Sequence, residues 1–318
     1  MALINDKYNR EFKTLRVSLL SKCNLSCVYC TMGEDEVKEN NQHDTPAPAQ
    51  QLLATIQQLH SVLHLETIRL TGGEPLLYHD LVPLIRGIKG IGIPKISLTT
   101  NGFLLERLAG PMKEAGLQSI NVSLDAVDED MFFLMSKRND VQRILKGIEA
   151  AIAAGLHVKL NAVIMKGINE NQIIPLLDFA FERNISIRFL EIMAMGYLHD
   201  TAGKYLFTQA DILHRIAEKY DFKKSIRDKA ATANYWETTE GKLFGIIANE
   251  SEPFCHDCNR LRLDSNGNIY GCLSSNHPIP LNNEDDATAL ISKLQQAMDQ
   301  KQSLKFVGSD LSMLHIGG

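Results

Sequence analysis

Six cysteines carry the first chemical signal in this 318-residue chain, because they fall in two sets of three and nowhere else. Cys23, Cys27 and Cys30 crowd into CNLSCVYC, at spacings of four and three. Cys255, Cys258 and Cys272 follow in FCHDCNRLRLDSNGNIYGCL, read as Cys–x2–Cys–x13–Cys. An odd number of thiols does not pair off into disulfides, and a closed zinc site takes four ligands. A 4Fe–4S cube is also normally held by four thiolates, so a set of three leaves one iron open to another ligand. On that reading the chain holds two 4Fe–4S clusters, each on three cysteines and each with an open iron. Zinc is the alternative, with His43 as a distant fourth ligand for the first set and His277 for the second. His256 lies between the ligands of the second set. A zinc ribbon, however, needs two CxxC pairs, and the second set offers one pair and a single cysteine.

Cations are the next signal. Arg260-Leu261-Arg262 lies between the cysteines of the second set, where two guanidiniums read as a phosphate clamp unless they are simply solvated. Arg69, Lys159 and Arg188 stand inside otherwise apolar runs. A cation is expensive there unless it is paired or faces a polar lumen. Pairing with Glu74 or Glu191 is the structural alternative. In TGGEP (71–75), Gly72 and Gly73 lack a Cβ, so the main chain could approach a ligand closely, and Pro75 stiffens the exit.

These residues need elements to position them. The runs 15–20, 67–73, 95–102, 119–125, 157–165 and 186–193 are rich in Ile, Val, Leu and Thr and read as strands. Helical patterns lie between them. One is the stripe Val141, Ile144, Leu145, Ile148, Ile152, with Asp140 as its N-cap. Another covers Ile173, Ile174, Leu176, Leu177 and Ala180, with Pro175 tolerable only in the first turn. Alternating strands and helices imply a parallel sheet with right-handed crossovers. Six units are too few for the eight-fold closed barrel. The expected class is α/β, as a six-stranded partial barrel or an open doubly wound sheet, with ligands at the carboxyl ends of the strands. TGGEP, TTNG and SLD fall at those ends. Residues 33–50 read as a polar surface loop. After about residue 200 the alternation stops, leaving one helix (207–219), a hairpin around TTEGK (238–242) and the second cysteine set.

The length suggests about two domains. A net charge of −5 gives no global case for a nucleic-acid or membrane surface. The N-terminus lacks a signal-peptide h-region, and no apolar run is long enough to span a bilayer, so a cytoplasmic, reducing location is expected.

CNLSCVYC at the end of a first strand, followed by TGGEP, resembles the radical S-adenosylmethionine superfamily. The resemblance implies that the cofactor's methionyl amine and carboxylate chelate the open iron of the first cluster, with the GGEP main chain at the amine. Reductive cleavage of its sulfonium then yields a 5′-deoxyadenosyl radical. Both triads, the RLR segment and the terminal IGG together are similar to the GTP 3′,8-cyclase family of molybdenum cofactor biosynthesis, from Thr14 to Gly318. That family implies a partial (βα)6 TIM-like barrel over 1–200 and a C-terminal α+β extension over 201–318 carrying the second cluster. It implies conversion of GTP to (8S)-3′,8-cyclo-7,8-dihydroguanosine 5′-triphosphate, in which hydrogen leaves ribose C3′ and the ribose radical attacks guanine C8. It implies, too, that the open iron of the second cluster holds the guanine edge.

Position by position, the resemblance assigns Tyr29, Gly72, Gly73, Glu74, Ser123 and Met193 to S-adenosylmethionine. Arg16, Arg69, Thr99 and Lys159 fall to the triphosphate and ribose of GTP, as do Arg260, Arg262 and the main chain of Leu261. Gly317 and Gly318 form a tail that assists catalysis near Arg16. Arg188 has no assigned role. Implied partners are an electron donor and a downstream cyclic pyranopterin monophosphate synthase, with room for a homodimer and none for nucleic acid or membrane. The segment SLLSK before Cys23 departs from the Thr–Asp–Arg-like stretch more usual in the family. The rivals are a radical enzyme acting on another nucleotide or a peptide, and a non-catalytic zinc or nucleic-acid module. Against the module stand a pI near 6.1 and the lack of an aromatic–basic stripe.

Overall fold

The structure, a computed structural model of the chain, describes residues 4–31 and 45–317. Six strands, β1 (Thr14–Ser18), β2 (Thr67–Thr71), β3 (Lys95–Thr100), β4 (Ser119–Ser123), β5 (His157–Ile164) and β6 (Ser186–Glu191), lie parallel and in sequential order. Helices fill the crossovers. They are α1 (Ala49–Leu63), α2 (Leu81–Ile91), α3 (Leu105–Ala115), α4 (Glu129–Ser136), α5 (Val141–Ala153) and α6 (Ile173–Glu182). Each strand begins within a residue of its expected position and ends about two residues early, because the last residues leave the ladder as functional loops. Pro175 falls in the first turn of α6, where its missing N–H costs nothing. Asp140 precedes α5 in a left-handed conformation and its side chain does not cap the helix, contrary to expectation. Instead Glu129 accepts from the Asp140 and Val141 N–H groups. The loop expected over 33–50 ends at Ala49, where α1 starts, and its residues 33–44 lie outside the described ones.

Alternation along the strands sorts the two faces. Leu15, Val17, Ile68, Leu70, Ile96, Leu98, Ile120 and Val122 point toward the helices and are essentially inaccessible. They join Ile56, Leu84, Ile85, Met112, Ile144 and Leu176 of the helices in one apolar core. Thr14, Arg16, Arg69, Thr99, Asn121, Ser123, Lys159, Asn161 and Arg188 occupy the other face. A parallel strand covered by helices on both sides would be apolar throughout. The polar residues at every second position therefore mark a face that meets something other than a helix.

The C-terminal residues extend both edges of this sheet. β7 (Phe222–Lys224), β8 (Asn234–Thr238) and β9 (Leu243–Ile247) follow α7 (Gln209–Ala217), and β9 adds parallel to β6. β8 and β9 form the hairpin expected around TTEGK. At the other edge β10 (Arg260–Leu263) adds parallel to β1, followed by β11 (Asn268–Tyr270) and β12 (Ile279–Pro280). The expectation of one helix beyond residue 200 is corrected by α8 (Ala287–Asp299) and the short α9 (Met313–Ile316). The signals for α8 are local: Asp286 caps it by accepting from Ala289 N, and Leu290, Leu294, Ala297 and Met298 form its buried stripe.

Candidate active site: two cysteine triads and a row of cations

The first triad lies on the loop leaving β1. Main-chain bonds hold that loop on two sides: Gly73 N and Glu74 N donate to Leu20 O and Lys22 O, each at 2.7 Å. Ser26 N and Val28 N donate to Ser136 O and Met135 O at the end of α4. The glycines are needed for this crossing. A Cβ on Gly73 would stand 2.2 Å from Lys22 O, and one on Gly72 2.6 Å from Leu20 O. The absent Cβ thus admits the cysteine loop's own main chain, where ligand approach was expected.

Glu74 does not line the cavity beside the triad, although a place at the cofactor was expected. Its buried carboxylate accepts from Thr100 Oγ1 at 2.6 Å, Asn101 N at 2.7 Å and Leu76 N at 2.9 Å, joining TGGEP to the end of β3. Burial raises its pKa to about 7 against these three donors.

A cavity of about 190 Å³ opens here, and Cys23, Cys27, Cys30, Gly72 and Gly73 line it with Tyr29, Ser123 and Met193. Asp125, in SLD after β4, also lines it, and sequence reasoning did not single it out. Its carboxylate accepts from Tyr29 Oη at 2.8 Å and Val163 N at 2.8 Å, and burial raises its pKa to about 6.

The second triad is assembled by a hairpin. Cys255 and Cys258 sit in a turn before β10, and the x13 spacing is the path out along β10 and back along β11 to Cys272. Asp264 forms the turn, accepting from Asn266 N at 2.9 Å and Asn268 N at 2.8 Å. All three cysteines line a second cavity of about 170 Å³. Neither His256 nor His277 lines it, and His43 lies outside the described residues. Thr99, Asn161, Leu190, Met193 and Met313 line both cavities.

Register explains the cations. Arg16 of β1 pairs with Arg69 of β2 on one side and with Arg262 of β10 on the other, so three guanidiniums stand abreast. Arg188 and Arg260 line the same cavity. Among the described residues none of the five ion-pairs with Asp or Glu. Glu191 is occupied elsewhere, by Gln209 N at 2.8 Å, Glu250 N at 2.9 Å and Ser251 N at 3.0 Å. Arg188 is held by Asn161 Oδ1 at 2.9 Å and Asn121 Oδ1 at 2.7 Å. Burial and mutual repulsion push Arg16 well below the usual arginine range, and Arg69 and Arg262 to about 10. Lys159 lies on the same face but outside the lining, lowered by burial and by Arg188 and Arg69. The side chain of Leu261 is in the core, so only its main chain could reach a ligand.

The C-terminal residues close over both cavities. Ser312 Oγ donates to Cys30 O at 3.3 Å, Leu314 and Ile316 are buried, and Arg262 Nη1 donates to Gly317 O. Gly317 has φ 74°, and a Cβ there would stand 2.4 Å from Thr71 Cγ2. Gly318 lies outside the described residues. Lys301, which had no sequence signal, is buried beside the second triad. Its Nζ stands 3.4 Å from Cys258 Sγ and donates to Arg260 O.

Among the described residues no three His, Cys, Asp or Glu side chains gather around a single-ion position, and the three cysteines of each triad line one cavity. Burial raises Cys23 to about 12 and Cys27 well above the usual thiol range, and a positive metal centre would favour their thiolates. Burial also acts to raise Cys258, but Lys301 and Arg260 outweigh it and hold the thiol near 6, ready as a thiolate ligand. Both donor sets fit an iron–sulfur group.

Comparison with known proteins agrees in order and extent. The Radical SAM superfamily model matches residues 17–180, and the model described as Molybdenum Cofactor Synthesis C matches 185–306. A protein of Synechocystis sp. named GTP 3′,8-cyclase is 37% identical, covering 87% of this chain and 84% of its own. One of the same name from Clostridium botulinum is 36% identical, covering 93% and 92%. Among solved structures, Streptococcus suis SuiB bound to S-adenosylmethionine is 18% identical with a TM-score of 0.64, covering 88% of this chain and 64% of that one. Native anSMEcpe with bound AdoMet is 14% identical with a TM-score of 0.64, covering 89% and 82%. These two likenesses concern the fold alone.

Proposed function

The chain belongs to the GTP 3′,8-cyclase family of radical S-adenosylmethionine proteins, and from that premise we propose that it closes GTP to (8S)-3′,8-cyclo-7,8-dihydroguanosine 5′-triphosphate. One observation supports this substrate most directly. Six cations (Arg16, Arg69, Arg188, Arg260, Arg262 and Lys301) line the second cavity, with no carboxylate among its described lining residues. Buried cations without acids are tolerable when a polyanion arrives to neutralise them, and the guanidinium fork matches phosphate oxygens.

In this reading Cys23, Cys27 and Cys30 hold one 4Fe–4S cluster, and Cys255, Cys258 and Cys272 hold a second. When bound, the first would supply the electron for cleavage of S-adenosylmethionine, and the second, held by three cysteines, would offer a Lewis-acidic iron to the nucleotide. Tyr29, Gly73, Ser123 and Met193 position S-adenosylmethionine in the first cavity, with Asp125 fixing the Tyr29 hydroxyl. Arg16, Arg69 and Arg262 grip the triphosphate as a row, and Lys159 and Arg260 flank it. Asn121 and Asn161 pre-orient Arg188, so its guanidinium loses little freedom when an anion binds. Thr99 reaches the ribose from the wall common to both cavities, placing C3′ toward the first. Leu190, Met193 and Met313 in that wall exclude water from the transfer path. Gly317 brings the tail to Arg262 and the Arg16 row.

We further read residues 1–200 as a partial (βα)6 barrel whose polar lumen is the face described above, and 201–318 as the extension bearing the second cluster. The reading includes a cytoplasmic location, an external electron donor, a downstream synthase that takes the product, and a homodimer. Among the described residues no helix is long and apolar enough to cross a membrane.

The test is anaerobic incubation of the reconstituted protein with GTP, S-adenosylmethionine and a strong reductant. The ribose gives up one hydrogen and the guanine ring regains one, so the product has the mass of GTP and is separated by chromatography. The expected yield is one 5′-deoxyadenosine per cyclised nucleotide. Cleavage of S-adenosylmethionine without a new isomer, or equal turnover of ATP, refutes the assignment.

A further inference from the structure

The two triads stand in opposite electrostatic surroundings. Around the first are carboxylates and neutral donors. Asn101 Nδ2 approaches Cys23 Sγ at 3.9 Å while Asn101 N is bound to the Glu74 carboxylate, and Tyr29 beside Cys30 is bound to Asp125. Around the second are cations, and one of them reaches a ligand sulfur directly. Lys301 is 6% exposed, has no acidic partner among the described residues, and places Nζ 3.4 Å from Cys258 Sγ. Two further contacts keep it there. Nζ donates to Arg260 O in β10, and it lies 5.2 Å from the centre of the Phe12 ring. Most phosphate-binding lysines are free to swing toward their anion, whereas this one is anchored to a main-chain oxygen and a thiolate.

We propose, on the two-cluster reading above, that Lys301 is a positioning residue that raises the reduction potential of the second cluster through its charged hydrogen bond to Cys258 Sγ. Reduction adds negative charge to a cluster and its sulfurs. An ammonium donor stabilises that state more than the oxidised one, so the potential rises. Among the described residues no carboxylate counters Lys301, so its charge acts at the sulfur.

The experiment uses the full chain with Cys23, Cys27 and Cys30 all changed to Ser, reconstituted with iron and sulfide, so that one cluster remains. Its midpoint potential is read by anaerobic titration with dithionite followed by electron paramagnetic resonance, without GTP. Lys301→Met should lower the reduced-to-oxidised ratio at a given potential about tenfold, which is 59 mV for one electron. Lys301→Arg, which keeps the charge, should stay near the parent. Should the Met variant lose its iron, Lys301→Gln keeps a donor without the charge, and its potential should fall between those expected for Met and Lys. An iron-loaded Met or Gln variant at the parent's potential overturns the role of Lys301. A triple-serine parent that holds no iron, where the native chain holds it, instead removes the second cluster and the inference with it.

Discussion

Gly317→Ala separates a working tail from an ornamental one. In the structure Gly317 has φ 74° and ψ 125°, outside the left-handed helical well and in a sparsely populated region that costs an L-residue about 1–3 kcal/mol. That alone reduces the docked population of the tail about 5- to 150-fold. The new Cβ adds a contact of 2.4 Å with Thr71 Cγ2 and one of 3.3 Å with Ser18 Cβ. Thr71 is 3% exposed and β-branched at the end of β2, so it cannot turn aside cheaply. Because the strain falls on a terminus, the expected result is an unchanged Tm and normal iron content. Hydrogen exchange over residues 313–317 should be faster, and cyclisation slower by at least the same factor. Thr71→Ser in the same chain removes Cγ2, keeps the hydroxyl, and should recover the steric part of the loss but not the conformational part. Wild-type cyclisation by Gly317→Ala, with residues 313–317 still protected from exchange, refutes the reasoning.

Cys27→Ser should abolish 5′-deoxyadenosine formation, whereas Cys258→Ser should retain some cleavage and make no cyclised nucleotide; equal loss in both, with the other cluster intact, contradicts the division of labour. Lys159→Ala or Arg260→Ala should weaken GTP binding by about 1.5–3 kcal/mol, roughly 10- to 150-fold, and leave S-adenosylmethionine affinity alone, as read by titration calorimetry. Arg69→Met should weaken GTP similarly while leaving the unliganded Tm equal or higher, because it relieves repulsion within the Arg69–Arg16–Arg262 row; a lower Tm would mean that the row is not strained. Burial holds Glu74 near 7 against an ordinary 4.5, so the folded state binds the extra proton and stability should fall as pH rises between those values. Glu74→Gln removes that slope, and its amide leaves a buried donor without a partner, costing about 1–3 kcal/mol in denaturant unfolding.

Local features were readable from the residues alone. The cysteine triads are short-range spacings, and each strand shows a period of two over five to eight residues. Six β-rich runs alternating with helical patterns implied the parallel α/β class, and the cations inside those runs pointed to a polar lumen. The family resemblance rested on the same short segments. Asp286 and the apolar stripe of α8 are local signals of the same kind.

What only the tertiary structure decided is who stands beside whom. Arg16, Arg69 and Arg262 become neighbours because β10 docks parallel on β1 in one particular register, with Arg16 opposite Arg262. Nothing near Arg16 or Arg262 in the chain specifies that pairing. The same holds for Lys301 at Cys258, for Asp125 at Tyr29, and for the glycines of TGGEP, whose missing Cβ atoms admit the cysteine loop. Glu74 illustrates the limit most sharply. Its place in a ligand-binding motif suggested a ligand contact, whereas in the structure its carboxylate accepts from three donors of its own chain and it is not among the residues lining the cavity. Periodicity is a property of a few consecutive residues, whereas burial, register and the partner of a buried charge depend on segments far apart in sequence, which meet only when the core has formed.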